Sequence, residues 1–303
     1  MQKQKVLTLV FDKLLSPKTK EVVERIILIT AILSFIIHLS LIYLSKAGVI
    51  NVGSDTELFK SPIAAIYTPF SFILIYEVYL LVFYIPKSVT TYVSKQYEII
   101  ALIVIRRLFK DLSHLEFSPN WLYIKGDRQF SYDILLSVFI FFIIYLFKKN
   151  IYRRAVNEDQ LALSKKSYDA FINFKKIIAV TLVPVLIFIA FYSLINWLSS
   201  LTANGAMPGT SFTNINNIFF EDFFTILIIV DVLLLLISFF YTDSFHKVIR
   251  NSGFIISTIL IRLSFSTEGL LNNILIFSSL LFGILILMIH NKFEQLEDSN
   301  QHL

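Results

Sequence analysis

The chain has 303 residues, 56% hydrophobic and 16% charged, with a formal net charge of +5 and no cysteine. Soluble domains run near ~25% charged, so this composition excludes an ordinary soluble fold. Missing thiols exclude disulfides, thiolate metal sites and cysteine nucleophiles.

Long apolar runs separated by short charged segments match the ~20 residues a helix needs to cross a bilayer. They do not alternate with period two, so an all-α membrane protein is expected rather than a β-barrel. In chain order, residues 1–24 form a basic cytoplasmic segment in which Val6 to Leu15 is weakly amphipathic and suited to the membrane surface. No signal-peptide core is expected there. Clear spans follow at 25–45, 66–85, 131–147, 177–199, 223–241 and 271–290. Two further segments, 97–116 and 253–271, contain arginine.

Lysine and arginine gather on the cytoplasmic side of membrane proteins. If both arginine-bearing segments cross, there are eight spans with both termini inside. Only Lys46, Lys60, Lys125 and Arg128 then lie outside, and Arg106, Arg107, Lys110 and Arg262 lie within spans. The basic linker 148–176 and the tail 291–303 fall inside, which accounts for the high pI without nucleic acid.

An internal repeat supports eight spans. Segment 98–115, EIIALIVIRRLFKDLSHL, aligns with 254–271, FIISTILIRLSFSTEGLL, and places Arg106 on Arg262. Segment 69–84 aligns with 223–238 and places Glu77 on Asp231. Matched isoleucines and leucines carry little information in apolar segments, whereas a matched acid and a matched arginine carry much. The chain is therefore expected to hold two four-helix units, 25–147 and 177–290. They would be parallel pseudo-repeats, because each has an even number of spans.

Each unit then carries an acid and an arginine near the middle of consecutive spans. A single charge at the bilayer centre costs roughly 2.5–3.5 kcal/mol, and a contacting pair shares a much smaller penalty. Contacts Glu77–Arg106 and Asp231–Arg262 are expected. Arg106, Arg107, Lys110 and His114 share an arc of about 100° on one helix, a cationic stripe that needs water, acids or an anion rather than lipid. In charge arrangement alone this resembles a voltage-sensing four-helix unit. Here, however, the bases stand on the third span, and the fourth (131–147) has none.

Other signals are weaker. His38 and His290 sit at different depths, so no haem is expected. His114 with Glu116 lacks further ligands for a metal, and no cofactor is expected. Pro184 is expected to kink the fifth span. Residues 202–217, TANGAMPGTSFTNINN, are expected to form an uncharged outer loop, and the linker to meet anionic lipid headgroups or a cytoplasmic partner.

The sequence thus predicts a multi-pass protein of a bacterial inner membrane, in contact with membrane lipids and with either a second copy of itself or a cytoplasmic protein partner, and not with nucleic acid. It would be a transporter or channel-like protein, not an enzyme, moving a proton, ion or small anion past Glu77, Arg106, Arg107 and Lys110. Asp231 and Arg262 would form the second ion pair. The alternative is a non-catalytic membrane subunit that docks a partner through its linker or loops.

Overall fold

Ser16 is extended and its hydroxyl accepts the Thr19 amide, while Pro17 fills the first helical turn, so a helix must start there. That start separates α1 (Gln2–Leu14) from α2 (Pro17–Lys46). A 3-10 turn, Pro62–Ile66, leads into α3 (Tyr67–Tyr84). Then come α4 (Val89–Leu112), α5 (Lys125–Ala155), α6 (Lys165–Asn204), α7 (Pro208–Phe239), α8 (Phe245–Ser264) and α9 (Gly269–Gln301). The computed structural model describes residues 2–49, 62–112, 125–155, 165–204, 208–241, 245–267 and 269–301, and among these there is no strand.

Among the described residues, five stretches are long and apolar enough to cross a membrane: Leu7–Lys46, Gly126–Ile151, Ala170–Ile189, Asp222–Phe239 and Gly269–Leu296. Thr68–Tyr84 is a shorter apolar helix. Along α2, Ile29, Leu33, Ile36 and Ile37 are all exposed, as are Phe139, Phe141, Phe142 and Tyr145 on α5. Contiguous apolar faces of this kind suit hydrocarbon, not water. The chain is a multi-pass helical membrane protein.

Helix limits differ from the sequence expectation at three places. The segment 253–271 is not one helix. The amides of Phe265, Ser266 and Thr267 bond back three residues, the Asn272 side chain takes up the Ser264 carbonyl, and Gly269 adopts φ 67°. The chain turns there, so Arg262 lies in the last turn of α8 rather than at mid-span. Likewise α4 begins at Val89, so Arg106 falls in its last two turns. Thirdly, most of the expected loop 202–217 is helical, because Pro208 occupies the opening of α7. Helix α6 continues through Pro184. The two basic ends of the linker are extensions of α5 and α6, and its middle, 156–164, lies outside the described residues.

The chain divides into two compact units whose boundaries cut through α4, α5, α6 and α7. The first comprises Met1–Phe83, Ile105–Phe130 and Val180–Phe224. Within it, the Tyr76 hydroxyl donates to Glu24 at 2.6 Å, Tyr79 donates to the Leu14 carbonyl, and Phe70 stacks on Phe109 at 5.1 Å. His38 is buried and hydrogen-bonds Thr68.

The second unit comprises Tyr84–Val104, Ser131–Ala179 and Thr225–Leu303. Its core joins Tyr97, Phe147 and Phe254, with ring centroids 5.0 and 5.6 Å apart. Tyr97 and Ser257 share a 2.7 Å hydrogen bond, and Ser257 also donates to the Ser279 carbonyl. Small residues let α8 and α9 approach. Gly253 and Ser257 are four apart on α8, and Ser279 and Gly283 are four apart on α9. This spacing brings helix backbones close in membranes. A Cβ at Gly253 would meet Ile286 at 2.7 Å, and one at Gly283 would overlap the Tyr97 hydroxyl and sit 3.0 Å from Ser257 Oγ. Tyr97 is a rigid, fully buried ring with nowhere to go. Gly283→Ala is therefore expected to destabilise the protein by about 1–3 kcal/mol through overpacking. Adding Tyr97→Phe, which removes the overlapping oxygen, should recover part of the melting temperature in detergent.

Candidate functional site

Along α7 the buried positions Leu227, Val230, Asp231, Leu234 and Ser238 recur at helical spacing, while Ile229, Val232, Leu233 and Leu236 are exposed. Asp231 thus belongs to the packed face, where an ionisable group in an apolar helix must lie. On α8 the buried face runs through Phe254, Thr258, Ile261 and Arg262, with Ile256 and Leu263 exposed. The opening turns of α4 supply Tyr92, which is 3% exposed.

These three faces meet in the second unit. Arg262 Nη1 lies 2.7 Å from Asp231 Oδ2, with Asp231 0% and Arg262 3% exposed. Thr258 donates to the same oxygen at 3.1 Å, and the Tyr92 hydroxyl donates to Asp231 Oδ1 at 2.9 Å. Arg262 Nη2 reaches the Tyr92 oxygen at 3.4 Å. Arg262 sits at a helix C-terminus, where exposed carbonyls favour a cation. Both carboxylate oxygens of Asp231 are engaged, so the cluster is an ionic clamp. The sequence pointed to Asp231 and Arg262 as a contact, and the structure brings them together. Sequence reasoning missed Tyr92 and Thr258.

Glu77 is set differently. It stands on α3 in the first unit, 2% exposed, with Oε2 lacking a hydrogen-bond partner. Arg106 is the charged group that acts on its carboxylate through space. Arg106 and Arg107 are both half-buried in the last turns of α4 and both engage other groups. The Lys110 side chain, His114 and Glu116 lie outside the described residues.

Two more buried polar groups escaped the sequence reading. Asp133 on α5 is fully buried and accepts from the Asn273 amide of α9. Lys175, expected among the solvated charges of the linker, is buried instead. Its ammonium donates to the Lys87 carbonyl at 2.9 Å and lies 4.7 Å over the Phe171 ring. It lines a small crevice with Tyr92 and Asn251, with room for about one water molecule.

No protein-family model, curated protein or solved structure matches the chain.

Proposed function

We propose that the chain is a transporter or channel-like protein that moves a proton, ion or small anion across a bacterial inner membrane. In this reading all eight helices from α2 to α9 cross, both termini are cytoplasmic, and an ancient duplication relates the α2–α5 and α6–α9 halves. Two arrangements support that relation. The acids Glu77 and Asp231 stand on α3 and α7, and Arg106 and Arg262 stand near the C-terminal ends of the helices that follow.

The observation that carries the reading is the contrast between the two acids. Asp231 has both oxygens occupied and serves as a clamp. Glu77 is equally buried, yet one of its oxygens has no hydrogen-bond partner. Buried polar atoms are nearly always satisfied in proteins, and ionisable groups within membrane helices commonly mark ion or proton paths. Glu77 is therefore the group that takes up and releases the transported proton or ion. Arg106 is its counter-charge, and Arg107 and Lys110 attract anions towards it.

Wild-type protein in sealed liposomes is expected to dissipate an imposed proton or chloride gradient faster than protein-free liposomes, and Arg106→Gln is expected to slow it. Flux equal to that of empty liposomes for every small ion tried would sink the reading. It would favour the non-catalytic subunit, which a stably co-purifying partner would identify.

A further inference from the structure

Helices α8 and α9 hold a second polar cluster in the second unit, separate from the Asp231 clamp. His246 stands in the first turn of α8, and His290 and Glu294 stand one turn apart on α9. Both histidines are buried, and their rings stack with centroids 5.0 Å apart and planes inclined by 26°. His290 Nε2 lies 4.0 Å from Glu294 Oε2, and one ligating atom from each of the three residues lies within 4.8 Å of the other two.

Arg250 fixes the protonation of this cluster. Its Nη1 is 3.0 Å from His290 Nε2, while its Nε and Nη2 bond Asn251 Oδ1 at 3.3 and 3.2 Å. A guanidinium has donors only, so His290 Nε2 must be the acceptor. Its lone pair is therefore directed at Arg250, so a metal ion takes that atom only as the guanidinium gives way.

We propose that His246, His290 and Glu294 form a binding site for a divalent transition metal such as zinc. Two histidines and one glutamate are a known zinc ligand set that leaves a fourth position for water. Bond lengths of 2.0–2.2 Å put tetrahedral ligands about 3.4 Å apart, so ligand atoms now within 4.8 Å of one another close by about 1.4 Å at most on binding. Arg250 yields one bond to His290 as the ion enters and keeps its two to Asn251. Its positive charge weakens the site and makes Arg250 the ion's competitor for His290 Nε2. The site is independent of the transport reading.

The test uses full-length, chelator-treated protein without a polyhistidine tag, titrated with zinc alone by calorimetry and with cobalt alone by visible absorption. One equivalent per chain is expected, with an intensified tetrahedral cobalt spectrum. Glu294→Gln, at a partly exposed position, is expected to weaken binding at least tenfold, and His290→Ala to abolish the spectrum. Arg250→Gln is expected to bind more tightly than wild type. Saturable binding absent from both wild type and Arg250→Gln overturns the proposal. So does binding that Glu294→Gln and His246→Ala leave unchanged, because the ion then sits elsewhere.

Discussion

Asp231→Asn is expected to lower the stability of the protein by about 3–5 kcal/mol. Arg262 would remain buried at 3% exposure with its counter-charge removed, and Tyr92 and Thr258 would each lose an ionised acceptor. Arg262→Met alone should be similarly damaging, because it strands the carboxylate. Asp231→Leu combined with Arg262→Met should recover much of the loss, since replacing a whole buried pair with apolar groups of similar size is often neutral. Thermal unfolding in detergent, followed by the fraction remaining monodisperse on size exclusion, reads all four proteins. A double variant as unstable as the sum of the singles would mean that the pair is not the coupled unit the geometry describes.

Glu77→Gln should behave in the opposite way. It removes the ionised form but keeps the shape, and Oε2 has no hydrogen bond to lose. Its melting temperature is therefore expected to stay within a few degrees of wild type, while flux in liposomes falls at least tenfold, or about 1.4 kcal/mol in barrier terms. Asp231→Asn, where it survives purification, should carry its loss in stability rather than in rate per folded molecule. This crossed pattern, with one acid governing rate and the other governing folding, separates transport from a merely structural pair in both units. Equal stability losses in the two variants, with flux per folded molecule unchanged, would assign both acids to scaffolding.

The acid and arginine of the second unit were legible because charge is rare in these helices, so a recurrence of both types stands out against the apolar background. Their neighbours were not legible. Tyr92 belongs to a residue type that also serves at membrane surfaces, and the charges at Lys95 and Glu98 made the start of α4 resemble a loop. The structure neutralises those charges: Glu98 pairs with Lys95 and with Lys148 at 2.8 Å each. A signal for the true start was present, because Ser88 caps the helix by accepting the Thr91 amide at 3.2 Å.

The α8–α9 seam was legible in principle through Gly253, Ser257, Ser279 and Gly283, whose four-residue spacing marks close helix packing. In so apolar a sequence the large and charged side chains dominate the pattern, and these small ones add little to it. Lys175 could not be placed from sequence. It stands beside Lys176 at the start of an apolar run, and only its rotational position on α6 decides that one is buried and the other is not. Its long apolar stem makes that burial tolerable once a carbonyl receives the ammonium. The His246–His290 cluster escaped for a related reason, since its members are distant in sequence and meet only where α8 and α9 pack antiparallel.

A path that carries ions past Glu77 and Arg106 must let water reach Arg106 from within the membrane domain. The chain has no cysteine, so a single Arg106→Cys replacement reports without background. In sealed vesicles the introduced thiol is expected to react with a charged, membrane-impermeant thiol reagent. The rate should be close to that of an aqueous control at Lys46→Cys, which the same topology puts on the outer face, and reaction should alter flux. A thiol at position 106 that stays unlabelled while the control reacts fully would contradict the account.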